Sequence, residues 1–247
     1  MLAVLLVALG VLVVEIALTR LLSFTLWYHF TYVVLAVALL GYGASGAFLA
    51  CSKRLESLPP RELVHGSALL ATAAGVLALL AICFLPFRPL EMATDPLQLP
   101  LMALYLIVIA LPFFACGLAI AAALRHWREH TTAIYFADLV GAGLGCALAI
   151  PAIWILGAPG AIAAGQASLA AAAVVAAPRP RRTATVALAA ASLLAAAAVA
   201  SFAEFRASPE SPSPAMFREA APRCSRAGVR SSAWTSTRRA SRPRDRA

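Results

Sequence analysis

The sequence predicts an all-α protein, a polytopic transmembrane helical bundle of about six to seven spans followed by a disordered C-terminal tail. Three observations carry this prediction. The chain of 247 residues is 62% hydrophobic and only 13% charged, whereas a soluble domain is about half apolar and roughly a quarter charged. Its mean hydropathy is +0.85. Apolar runs recur at or above the ~20 helical residues that a hydrocarbon core requires.

The elements follow in order. A first run, Leu2 to Leu26, carries Glu15 and Arg20. It starts without a basic region and is too long for a signal sequence, so it reads as a retained span. The second run, Phe30 to Cys51, contains the stretch "GYGASG"; the third, Gly66 to Pro86, is plain Ala, Leu and Val. The fourth, Leu99 to Leu124, is interrupted by Pro112, and the fifth, Ala133 to Leu156, carries Asp138 and Pro151. Proline inside a helix predicts a kink. Two Ala-dominated runs follow, Ala158 to Ala177 and Thr183 to Ala203. They contain few Leu, Ile or Phe, which weakens their drive to insert.

Charge placement gives an orientation. Residues 52–62, 125–130 and 179–183 hold most of the loop basic residues, and all three segments fall on one side if each run crosses once. That side is expected to be cytoplasmic, with the N-terminus on it. Six spans place the end of the helical region inside and seven place it outside; the Ala-rich pair decides between them. The expected location is a bacterial inner membrane, with the lipid bilayer as the partner.

From Arg206 the chain is made largely of Arg, Ser, Ala and Pro without periodicity. Such a segment cannot bury enough apolar surface to offset its ordering entropy. The expected division is a helical domain over residues 1–203 and a disordered basic tail over residues 204–247. A frameshifted or truncated remnant is a second reading of that tail, since the single lysine, Lys53, suggests a GC-rich source.

The formal net charge of +9 does not mark a nucleic-acid surface. Half of the basic residues lie beyond Phe205 and most of the others punctuate short loops, whereas nucleic-acid binding needs them on one folded face. The five cysteines form no C-x-x-C pair, so neither a disulfide framework nor a zinc site is indicated. His126 and His130 stand four apart but lack a third ligand. With Trp127 they read as an interfacial helix end, and His29 beside Trp27 and Tyr28 reads as part of an aromatic belt. No metal or cofactor is expected.

Four features could carry more than packing. Glu15 and Arg20 are intramembrane charges five residues apart, about 140° around a helix, so each needs a partner elsewhere. Asp138 is the obvious candidate for Arg20. The three residues read as a polar lock between helices or as a substrate or proton path. The fifth run places Ala137, Gly141, Gly145 and Ala149 at intervals of four, a small-residue stripe suited to close helix packing. Gly41, Gly43 and Gly46 match the dinucleotide fingerprint G-x-G-x-x-G. That loop must sit between a strand and a helix, yet here the apolar run continues through it to Cys51. It too reads as a packing patch.

Two stretches, residues 15–50 and 134–161, resemble the membrane region of multi-span spermidine synthase-like proteins, relatives of the polyamine aminopropyltransferases. The likeness rests on Glu15 with Thr19, Arg20 and Leu21, on the glycine-rich second run, and on Tyr135, Asp138, Gly141 and Gly145. It implies a soluble Rossmann-like transferase domain after the spans, which would bind decarboxylated S-adenosylmethionine and hold amines with carboxylates. The sequence "FRASPE" (Phe205 to Glu210) resembles the entry to such a domain, and then the match stops. No strand–glycine–helix pattern follows, so no catalytic residue carries over. The resemblance implies a non-catalytic membrane domain, with a separate or lost soluble transferase domain as its partner. The competing reading is a small secondary transporter or permease with Glu15, Arg20 and Asp138 in a polar path.

Overall fold

A backbone that crosses lipid must satisfy its own N–H and C=O groups, and long apolar runs do so as helices. The computed structural model describes residues 1–25, 30–85 and 95–205, and nearly all of them are helical. The helices are α1 (Leu2–Thr25), α2 (Phe30–Cys51), the short α3 (Lys53–Glu56), α4 (Pro60–Phe84), α5 (Gln98–His126), α6 (Thr131–Ala176) and α7 (Arg182–Phe205). Single 3₁₀ turns precede α6 and α7. Six of the helices are long and apolar enough to cross a membrane.

The ends are set by local chemistry. Pro60 occupies the first turn of α4, where its missing N–H costs nothing, and Glu62 there faces the positive end of the helix dipole. Before α5, one Asp95 carboxylate oxygen accepts from the Leu97 N–H at 3.0 Å and the other from the Gln98 amide at 3.1 Å. Arg125 and His126 close the last turn of α5, at its negative end. Within the helices, Thr19, Thr72 and Ser192 donate to carbonyls three or four residues earlier. Their hydroxyls are thereby paired without leaving the helix.

α6 is two helices. Straight, its 46 residues would run about 69 Å, more than twice the thickness of a hydrocarbon core. Gly157, at φ 71° and ψ 172°, breaks it. We call residues 131–156 α6a and residues 158–176 α6b. Contacts with α1 show that the two run in opposite directions. Gly141 lies against Leu5 and Ala8, and Gly145 against Leu9 and Leu12, so α6a is parallel to α1. Gly165 lies against Gly10 and Val14, while Ser168 donates to the Leu6 carbonyl at 2.8 Å, so α6b is antiparallel to it. α1 is clasped along its length by this hairpin. The backbone stays helical through Pro112 and Pro151; the only non-helical residue inside α6 is Gly157.

A buried cluster fixes the sense of every other helix. Val4 near the start of α1 packs with Leu49 near the end of α2 and with Leu63 and Val64 near the start of α4. The same cluster takes in Ala122 and Ala123 from the end of α5, Ile134 from the start of α6a and Ala176 from the end of α6b. Thr185 in the first turn of α7 meets His65 at this end as well. Starts and ends therefore alternate strictly, and the chain passes along the bundle seven times. Both Ala-rich runs are among those passes, with α6b antiparallel to α1. The three basic segments gather at the end of the bundle marked by Val4.

The main core joins Val7, Val11, Val14 and Leu18 of α1 to Ile109, Phe113 and Cys116 of α5, with Ala68, Ala71 and Leu79 of α4 and Ile162, Leu169 and Ala172 of α6b. Its abundance of Ala and Val is what packing in lipid demands: apolar burial gives no drive there, and close backbone approach does.

Two boundaries differ from the expectation. α7 runs to Phe205, so Glu204 and Phe205 belong to the helix and not to the tail. The expected tail beyond them, and the expected aromatic belt around His29, lie outside the described residues.

Candidate functional site

The glycines expected to pack divide into two groups. A side chain at Gly41 would meet the Phe114 backbone nitrogen at 2.9 Å, and one at Gly145 would meet the Leu9 carbonyl oxygen at 2.7 Å. Gly141 is equally confined, by Leu5 and Ala8. Gly43 and Gly46, by contrast, have nothing within 4 Å of where a Cβ would stand. The packing expectation is corrected for these two. α2 meets α5 through Gly41, Tyr42, Ser45 and Phe48, and Gly43 and Gly46 point away from that contact. "GYGASG" is a helical segment in α2, with none of the strand and turn that a phosphate loop needs.

Glu15 on α1 and Asp138 on α6a are both half-buried, whereas Arg20 is exposed. The parallel register of α1 and α6a sets Asp138 near the level of Leu2 to Leu5. Arg20 lies roughly 25 Å further along the axis at 1.5 Å per residue. The structure therefore does not bring Arg20 and Asp138 together as a lock.

The Tyr42 ring packs over Gly117 of α5, where a Cβ would meet its Cδ1 at 2.8 Å. α1 contacts both α2 and α6, while α2 and α6 make no extended contact with each other among the described residues. By the same register Glu15 stands roughly 15–20 Å further along the axis than Asp138, so the two acids occupy different depths of the bundle. Each is a half-buried acid within a span, a kind of residue that marks either a helix contact or a polar path. Sequence reasoning missed Tyr42, although it stands inside the motif that drew attention first.

Two further polar groups were also missed. Gln166 of α6b is fully buried, lies against Gly75 of α4, and neither of its amide atoms has a hydrogen-bond partner. The signal was available: it is one of only two glutamines in the chain, set in an alanine run. His65, buried at the start of α4, has Nδ1 3.0 Å from the Ala173 carbonyl oxygen and Nε2 3.5 Å from the Thr185 hydroxyl. It ties α4 to α6b and α7.

His126 turns inward, with Nδ1 3.0 Å from the carbonyl oxygen of Ala122 in its own helix. Arg125 donates to the Leu49 carbonyl at 2.9 Å, joining the ends of α5 and α2. Among the described residues no group of three or more His, Cys, Asp or Glu could hold a metal ion.

No family model matches the sequence, and no curated protein or solved structure matches it.

Proposed function

We propose that this chain is the membrane domain of a spermidine synthase-like protein. It is not itself catalytic, and it sits in a bacterial inner membrane with its N-terminus and basic loops in the cytoplasm. One observation carries the reading. The two stretches that resemble that family fall on α1, α2 and α6a with the reversal at Gly157, the elements that carry the half-buried acids Glu15 and Asp138. The orientation is supported by the gathering of Lys53, Arg54, Arg61, Arg125, Arg128 and Arg181 at one end of the bundle. The test is the DNA beyond the Phe205 codon, read in all three frames. A frame encoding a strand–glycine–helix domain with paired acids is expected; an in-frame stop at Ala247 followed by no such domain overturns the proposal.

The half-buried intramembrane acids Glu15 and Asp138 favour a second reading, a small secondary transporter for a cation or proton-coupled solute. Neutralising one carboxyl group should then abolish transport without unfolding the bundle. In vesicles, Asp138→Asn is expected to reduce solute uptake at least about tenfold, the effect of losing one charge-assisted contact. Uptake equal to that of the parent protein excludes Asp138 from the path.

A further inference from the structure

A groove of about 400 Å³ opens between the first turns of α4 and those of α7, at the end of the bundle where the basic segments lie. Its rim has opposite charges on opposite sides: Glu62 on α4, and Arg181 on the turn into α7. Below the rim the lining becomes apolar, with Gly66 and Leu69 on one wall and Leu188 on the other. From Pro60 to Leu69 the wall descends about 13 Å along the helix axis, from the depth of a headgroup into that of the acyl chains. The floor is built and polar. His65 is only 6% exposed, and its contacts to Ala173 and Thr185 pin the floor to α6b and α7. The Thr185 hydroxyl in turn donates to the Arg181 carbonyl at 2.8 Å.

We propose that this groove binds one zwitterionic aminophospholipid from the adjacent leaflet. Its phosphate would pair with Arg181 and its ammonium with Glu62, and one acyl chain would lie along Gly66, Leu69 and Leu188. The paired rim charges select the headgroup. A purely anionic lipid would pair with Arg181 but leave the Glu62 carboxylate without a cationic partner on the ligand. Gly66 provides the slot for the chain, because nothing lies within 4 Å of where its Cβ would be. The volume lies within the ~300–1,000 Å³ typical of small-molecule sites, enough for a headgroup and the first part of one chain. The proposal does not depend on what the protein does.

The full chain, reconstituted in nanodiscs of equal phosphatidylethanolamine and phosphatidylglycerol and released for native mass spectrometry, provides the test. The parent protein should retain one phosphatidylethanolamine in several-fold excess over phosphatidylglycerol. Arg181→Ala should weaken that retention by roughly tenfold, as expected for one lost charge-assisted hydrogen bond. Glu62→Gln should bring the two lipids close to equal retention. Gly66→Leu is the control for folding: it fills the slot and replaces a helical glycine by a better helix former. It should abolish retention while leaving Tm unchanged or higher. Equal retention of both lipids by the parent protein, or retention that survives Gly66→Leu, overturns the proposal.

Discussion

At the scale of single residues, glycine illustrates how one residue type serves opposite ends within the bundle. Gly145 is required because α1 passes so near: a Cβ there would lie 2.7 Å from the Leu9 carbonyl oxygen and 2.9 Å from the Leu12 Cβ. Gly46 faces open space and contributes only conformational freedom to the unfolded chain. Alanine at the two positions should therefore act with opposite sign. Gly145→Ala overpacks the α1–α6a contact and is expected to cost about 1–3 kcal/mol. Gly46→Ala is expected to be neutral or to stabilise by up to about 1 kcal/mol. Thermal unfolding in detergent, followed by tryptophan fluorescence, separates the two; equal shifts would refute this division of the glycines. The same contrast explains what the sequence could and could not reveal. Spacing by four identified the stripe of Gly141 and Gly145, because a stripe is a property of one helix. Which face of "GYGASG" meets a neighbour depends on where α5 lies. Tyr42 and His65 were hidden for that reason, since each acquires its contacts from a helix distant in sequence.

At the scale of elements, Gly157 decides whether residues 131–176 form one overlong rod or two passes. Its φ of 71° and ψ of 172° lie in a region that is essentially restricted to glycine. The turn is compact because Pro159 follows almost at once, and the apolar runs on its two sides each suffice for a crossing. This boundary was legible in advance: the fifth and sixth runs were separated at Gly157, where "GAPG" interrupts the apolar pattern. The direction of the second half was not legible, because an alanine-rich run has weak insertion preference by itself. Its place is fixed by α1, through Gly10 against Gly165 and Leu6 against Ser168. Gly157→Ala should strain the reversal by about 1–3 kcal/mol without changing the helices on either side. The expected result is a lower unfolding midpoint with unchanged helical circular dichroism. An unchanged midpoint would mean that the backbone at this position is not held in the glycine-only region.

At the scale of the whole molecule, seven passes carry a consequence for orientation that six would reverse. The clusters around Val4 and His65 place the starts of α1, α4, α6a and α7 at one end of the bundle, together with the ends of α2, α5 and α6b. α7 therefore finishes at Phe205 at the opposite end. If the basic end is cytoplasmic, as proposed above, whatever follows α7 emerges outside, and a transferase domain placed there would work on the outer face of the membrane. Sequence alone could not settle this, because charge bias fixes the sign of the orientation and the number of crossings fixes where the last helix ends. Paired reporter fusions measure both. Alkaline phosphatase fused after Phe205 should be active and green fluorescent protein at the same junction dark, with the reverse pattern for junctions after His126 and Arg181. Phosphatase activity at His126 and fluorescence at Phe205 would leave the seven passes intact and invert the proposed orientation. Fluorescence at all three junctions would instead show an even number of crossings, with α7 failing to traverse the membrane.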